Sequence, residues 1–337
     1  MKALIPAAGQ GVRLKPHTLT RPKPMVYVAG KPIIGHILDN LKGILDEIVI
    51  IVGYMKEKLI DYVEANYGDI FKIDFIEQTE ILGLGHAVYM GKEKIGDSPV
   101  LITLGDEFFG MSYEEMLAAH RKLMPAKGTL GVKHVDKPSH YGIVEHTGDT
   151  VSKLIEKPAH PTTDLAIAGV YLIEDTPLLW GCLEKVIDAG SVSGKGNKPN
   201  YQLTDALQLM VEEGAKLKIF NVPEWYDCGR PEMLLEVNRI LLDKYGSENR
   251  GVMRRCVLID PVRIADGCKL EDAIIGPHVS IAEGTMIQNS IIKNTIIGSN
   301  TEIRDMMLKA SIINDEVVMH GRGQTVNVGE NSEIKMI

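Results

Sequence analysis

From Ile264 onward one spacing governs the chain. Ile264, Leu270, Ile275, Ile281, Ile287, Ile292, Ile297, Ile303, Leu308 and Ile313 recur at gaps of five or six, separated by Gly, Asn, Asp and Ser. That period is too short for a helix-pair repeat and too regular for chance. Phrases such as Ile275-Gly-Pro-His-Val-Ser and Ile281-Ala-Glu-Gly-Thr-Met read as hexapeptide coils of a parallel β-helix. A single coil cannot bury its apolar face alone, so the coils must stack. The rival architecture is an antiparallel sheet with short turns.

The residues before this stretch alternate strand and helix patterns. Ala3–Ala8 is a short apolar run ending in glycine, and Pro32–Leu45 has helical spacing through Ile33, Ile37, Leu38 and Leu41. Glu47–Val52 reads as a buried strand and Glu57–Tyr67 as a helix. Phe75–Ile76, Val100–Leu104, Leu130–Val135 and Ile167–Ile173 supply further strands, with helix candidates such as Tyr113–Leu123 between them. Strands spaced by helices predict an α/β fold: a Rossmann-like, mixed but mostly parallel sheet with helices on both faces. The expected division is a catalytic domain over 1–245 and a β-helix over 246–337, joined by a helix at Glu232–Tyr245. In such sheets ligands sit beyond the carboxyl ends of the strands.

Composition narrows the class. Cys182, Cys228, Cys256 and Cys268 show no C-x-x-C pair, which argues against a zinc site or disulfide framework. No apolar run approaches the roughly 18 residues that span a bilayer, and the apolar part of Met1–Gly9 is too short for a secretory segment. The expectation is a cytoplasmic protein without membrane or nucleic-acid partners. The net charge of −8 is uneven: residues 1–38 hold six Lys or Arg and no acid, leaving 31 positive against 45 negative side chains in the rest. A basic opening segment on an acidic chain suits a small anionic ligand; a solvated basic edge is the plainer alternative.

The densest chemical signal is Gly9-Gln10-Gly11-Val12-Arg13-Leu14-Lys15-Pro16-His17-Thr18, followed by Pro22-Lys23-Pro24-Met25. Paired glycines after a strand let backbone N–H groups approach a phosphate with no Cβ in the way. Arg13 adds a planar fork of donors and Lys23 a compact charge. A dinucleotide loop is disfavoured because position 14 is leucine and three prolines follow within ten residues, and no Walker A pattern occurs. A second signal is Leu104-Gly105-Asp106, an acid just past an apolar run, where a carboxylate could hold Mg²⁺ against a phosphate. A lone Asp there is more commonly a cap or turn residue.

With Trp225-Tyr226-Asp227-Cys228-Gly229 added, the chain resembles the sugar-1-phosphate nucleotidyltransferases. It is similar to glucose-1-phosphate thymidylyltransferases and uridylyltransferases that carry a C-terminal left-handed β-helix. The family loop reads G-x-G-T-R-L-x-P-x-T followed by P-K-P, and here Val12 replaces the threonine, which predicts weakened or rearranged phosphate contacts. The resemblance implies that Asp106 and Asp227 bind the metal, Mg²⁺. It places Ala8, Gly9, Gly11, Gln78 and Gly83 on the nucleotide, Gln78 offering an amide donor and acceptor to a pyrimidine. Gly142, Glu156, Lys157, Gly169 and Tyr171 would line the sugar phosphate, with Tyr201-Gln202-Leu203-Thr204-Asp205 nearby. Catalytic roles fall on Arg13, Lys23, Asp106 and Lys157. Cys228, where threonine is common, reads as a small buried residue.

The implied reaction is in-line attack of a sugar-phosphate oxygen on the α-phosphorus of dTTP or UTP, with pyrophosphate leaving and no general base needed. The substrates are then a pyrimidine nucleoside triphosphate and a sugar 1-phosphate, glucose 1-phosphate first among them, and the β-helix is an oligomerisation or regulatory module of a homo-oligomer. Two rivals remain. One is an acyltransferase, alone or joined to nucleotidyl transfer, using His278 or His320 as base on the coils. The other is a non-catalytic sugar-nucleotide sensor.

Overall fold

The computed structural model describes residues 1–190 and 199–321, so the last part of the expected 246–337 domain, residues 322–337, lies outside the described residues. Two compact units divide the chain. The first comprises Met1–Val26 and Lys31–Leu234; the second takes Tyr27–Gly30 and the residues from Leu235 on.

The first unit is built on a nine-stranded sheet. Lys2–Pro6 lies between Glu47–Val52 and Val100–Thr103, parallel to both, and Lys72–Glu77 extends the parallel side. Beyond Val100–Thr103 the order continues Leu165–Ile173, Gly128–His134, Leu217–Asn221, Thr150–Glu156, Gly142–Thr147. Leu165–Ile173 runs antiparallel to both of its neighbours, and Thr150–Glu156 does the same. The sheet is therefore mixed rather than mostly parallel: three parallel pairs gather at one side, and a fourth, Gly128–His134 with Leu217–Asn221, lies among the antiparallel strands at the other. Sequence periodicity misses Gly142–Thr147, Thr150–Glu156 and Leu217–Asn221 because their exposed residues interrupt the apolar runs. The first two form a hairpin whose tight turn uses Gly148 at φ +62°.

Both faces of the parallel side are covered. Val49 and Ile51 pack in a cluster with Val88, Trp180 and Leu203, while Ile48 and Ile50 are equally buried on the other face. The helices have local causes. Ser112 and Glu115 form a reciprocal capping box that starts Tyr113–Lys122. Asp175 accepts from the Leu178 N–H to start Thr176–Asp188. That helix and Leu203–Glu212 escape the sequence reading. No helix among the described residues is long and apolar enough to cross a membrane.

The second unit stacks short strands into three sheets, and every strand pairing within them is parallel. The antiparallel alternative is excluded by this register. Val262 pairs with Val279 and Val279 with Thr295, so one coil takes 17 or 16 residues, three of the observed gaps. The recurring residues Ile264, Leu270, Ile275, Ile281, Ile287, Ile292, Ile297 and Ile303 are all buried in one interior cluster. Leu308 is in it too, and Ile313 packs partly buried against it. The corners repeat as well. Arg255, Asp272, Asn289 and Asp305 hold left-handed φ values at the same point of successive coils. Asn and Asp adopt this conformation more readily than other non-glycine residues. Within this unit the Asn238 Oδ1 accepts from the Ala29 N–H at 3.0 Å and from Ser280 Oγ, which ties Tyr27–Gly30 to the coils.

Ile102 is fully buried in the central sheet, flanked by Leu4 and Tyr171. Ile102→Ala is expected to cost about 2–5 kcal/mol of stability. Trp180 and Trp225 are the chain's two tryptophans and both lie in the first unit, so their fluorescence in a urea titration reads this loss directly.

Candidate active site

The site grows from the carboxyl ends of the parallel strands. After Lys2–Pro6, the Ala7 N–H donates to the Ile51 carbonyl at 2.8 Å, and the Gly105 N–H donates to the Pro6 carbonyl at 3.0 Å. These bonds bring Ala8-Gly9 beside Gly105-Asp106. Gly11 turns the loop with φ +63°, and a methyl there would come within 2.9 Å of both Lys23 Cβ and Thr18 Cγ2. Only glycine lets the loop close onto Lys23. Val12 is 62% exposed, so its exchange for threonine disturbs no packing.

Asp227 reaches the same place by a different route. Trp225–Asp227 pairs antiparallel with Glu107–Phe109, Asp227 opposite Glu107, and the Cys228 N–H donates to the Asp106 carbonyl at 3.2 Å. This two-stranded ribbon joins two motifs more than a hundred residues apart in the chain. Lys23, 6% exposed, donates from one ammonium to Asp106 Oδ2 and, at 3.2 Å, to Asp227 Oδ1. Arg13 Nη2 donates to Asp227 Oδ2 at 3.1 Å. Burial by itself would lower the Lys23 pKa, but Asp106 and Asp227 hold it above its ordinary value. Burial would likewise raise Asp227, and Lys23 and Arg13 outweigh it to hold that carboxyl below its usual range. Gly229 lies against this group: a methyl there would come within 2.6 Å of Arg13 Nη2 and of Asp227 Oδ1.

Two cavities meet at the ion cluster. The smaller, about 280 Å³, is lined by Ala8, Gly9, Lys23, Gln78, Gly83 and Asp106 among others. Gln78 is buried there, its Nε2 donating to the Gly83 carbonyl at 3.3 Å and lying 3.0 Å from His86 Nδ1. Gly83 has φ +97°, and a methyl would stand 2.4 Å from the Tyr201 carbonyl oxygen. The larger cleft, about 630 Å³, is lined by Arg13, Gly142, Glu156, Lys157, Gly169, Tyr171 and Asp227, together with residues discussed below. Leu84, Leu104 and Asp106 belong to both walls. Glu156 is fixed from two sides, accepting from Thr204 Oγ1 at 2.7 Å and from Lys157 Nζ at 2.8 Å. Gly11 is the one expected nucleotide contact absent from the smaller cavity's lining; it packs under Lys23 instead.

Several features are not legible in the sequence. Glu107 is buried beside Asp106 and accepts from Trp225 Nε1 at 2.7 Å. Burial first, then Asp106 and Asp227, push its pKa well above the carboxylate norm. Arg230, one residue past Gly229, lines the cleft with its Nη2 3.5 Å from His140 Nδ1. Of the segment Tyr201–Asp205, Gln202 and Thr204 face the cleft, while Tyr201 and Leu203 belong to the core. The buried Cys228 thiol is pushed well up by desolvation, which suits an inert small residue. His278 and His320 lie on the coils, His278 2.7 Å from Asp243 and His320 3.2 Å from Glu302.

No group of three or more His, Cys, Asp or Glu side chains able to hold a metal occurs among the described residues. Asp106 and Asp227 are thus a two-carboxylate donor set. This is the protein share that Mg²⁺ accepts when phosphates and water complete its shell. The two carboxylates already share one cation, the Lys23 ammonium, so the residues fit a divalent ion.

Fold and site together define an enzyme-like α/β unit with basic and acidic groups poised between two cavities. Residues 2–244 match the nucleotidyl transferase family model, and the chain belongs to that family. It is 32% identical to the bifunctional protein GlmU of Methanocaldococcus jannaschii over 98% of this chain and 80% of that one. It is 31% identical to a glucose-1-phosphate thymidylyltransferase of Streptomyces antibioticus over 99% of this chain and 93% of that one. Among solved structures, UDP-glucose pyrophosphorylase complexed with UDP-glucose superposes with a TM-score of 0.62 at 25% identity. The match covers 72% of this chain and 98% of that chain.

Trp225→Phe leaves the buried Glu107 without its indole donor and is expected to cost about 1–3 kcal/mol. A urea titration followed by circular dichroism measures it.

Proposed function

We propose that this chain is a sugar-1-phosphate nucleotidyltransferase that joins a sugar 1-phosphate, glucose 1-phosphate foremost, to dTTP or UTP and releases pyrophosphate. The observation that carries the reading is the convergence of Lys23, Arg13, Asp106 and Asp227 where the two cavities meet. A nucleotide in the smaller cavity and a sugar phosphate in the larger one would bring their phosphates together at that group. Membership of the nucleotidyl transferase family and the names of its relatives support the same chemistry.

Two anions must be held close while charge shifts onto a departing pyrophosphate. The attacking phosphate oxygen is already ionised near neutral pH, so the chain supplies no base. Arg13 would grip the leaving pyrophosphate, Lys23 the nucleotide phosphates, and Lys157, beside the cleft, the attacking phosphate. Gln78 would orient the pyrimidine from the floor of the smaller cavity, with Ala8, Gly9 and Gly83 shaping its backbone wall. Glu156, held by Thr204, would accept sugar hydroxyls over Gly142, with Gly169 and Tyr171 behind them. Asp106 and Asp227 would hold Mg²⁺, which when bound neutralises phosphate charge and orients the α-phosphate.

On this reading residues 1–245 carry the transfer chemistry, and the stacked coils within residues 246–321 are a left-handed β-helix that serves assembly as a homo-oligomer. The location is cytoplasmic, a choice that rests on four free, unpaired cysteines.

A pyrophosphate-release panel tests the reading: UTP, dTTP, GTP, ATP and CTP, each against several sugar 1-phosphates, with and without Mg²⁺. Release with dTTP or UTP only in the presence of both metal and sugar phosphate is expected; release confined to a purine nucleotide overturns the base assignment. Arg13→Ala and Asp106→Asn are each expected to lower kcat about 10²–10³-fold while leaving KM for the sugar phosphate near its wild-type value. Steady-state kinetics of the two variants decide this.

A further inference from the structure

Lys23 occupies the point that a cation bound to Asp106 and Asp227 would need. Its ammonium bonds to both carboxylates, and Arg13 holds the second one from the other side. The four side chains carry two negative and two positive charges, so the cluster is neutral as it stands. Glu107 next door is engaged by Trp225 Nε1 at 2.7 Å. A divalent ion entering alone would have to displace an ammonium that both carboxylates hold. It would also leave two excess positive charges in a largely buried place. A polyphosphate changes both terms: it offers the ammonium other oxygens and cancels the added charge. Lys23 can respond locally, since its side chain also lines the smaller cavity, where the nucleotide phosphates are proposed to enter.

We infer that Lys23 is an internal counter-ion that keeps the Asp106–Asp227 cation site closed until nucleotide phosphates draw its ammonium away, so that divalent metal and nucleotide bind as one. The inference rests on the proposed function. It adds that Lys23 opposes metal binding in the free enzyme and favours it in the nucleotide complex, a reciprocal coupling between the two ligands.

Size is no obstacle to the exchange, because a hexacoordinate ion needs only one or two protein carboxylates when phosphates complete its shell.

Mn²⁺ binding to the full chain without nucleotide, followed by electron paramagnetic resonance and calorimetry, tests the inference. Lys23→Met removes the charge and keeps the stem. It is expected to bind Mn²⁺ at least about tenfold tighter than wild type, and Lys23→Met/Asp106→Asn is expected to lose that gain. Lys23→Arg keeps the charge and should stay as weak as wild type. Lys23→Gln replaces the methionine variant if its circular dichroism shows that it has not folded. Lys23→Met binding no tighter than wild type overturns the inference. If wild type nevertheless forms an Asp106-dependent ternary complex with Mn²⁺ and dTTP or UTP, the proposed function stands without it. If no Asp106-dependent Mn²⁺ binding occurs with or without nucleotide, both fall together.

Discussion

One buried ammonium organises this site. Lys23 lies between Asp106 and Asp227, and each of the three is delivered by a separate stretch of chain: the Pro22–Met25 segment beneath the glycine loop, the end of Val100–Thr103 and the Trp225–Asp227 ribbon. Burying any one of these charges alone would be costly, and together they satisfy one another. The glycines around them follow from that crowding. Gly11 gives Lys23 room to fold under the loop, and Gly229 leaves space where any side chain would strike Arg13 or Asp227. The ribbon needs its own anchor, supplied by Trp225 donating to the buried Glu107.

Around this cluster the sheet divides its labour. Its parallel side ends in short loops that bring Ala8, Gly9 and Gln78 together in the smaller cavity, while its antiparallel side contributes Gly142, Glu156, Gly169 and Tyr171 to the larger cleft. Parallel strands all present their carboxyl ends to one edge, which suits a phosphate site built from backbone. A hairpin returns the chain to its starting edge, so Gly142 and Glu156 come to face each other across paired strands. The second unit follows a simpler rule, since each coil of 16 or 17 residues repeats the same inward residue and the same left-handed corner.

The amino-acid sequence by itself marked the stacked coils through the fixed spacing of inward Ile and Leu, while the parallel register of the structure removed the antiparallel alternative. It also marked the glycine loop, the two aspartate motifs and the parallel strands, whose apolar runs are continuous because they are covered on both faces. What only the tertiary structure decided are the meetings across long stretches of chain: the antiparallel strands with exposed residues, Lys23 shared by two acids, Thr204 holding Glu156, and Trp225 satisfying Glu107. Periodicity reports which face of one element is buried, whereas a bond between residues far apart exists only once the sheet order and strand register have set where each element ends.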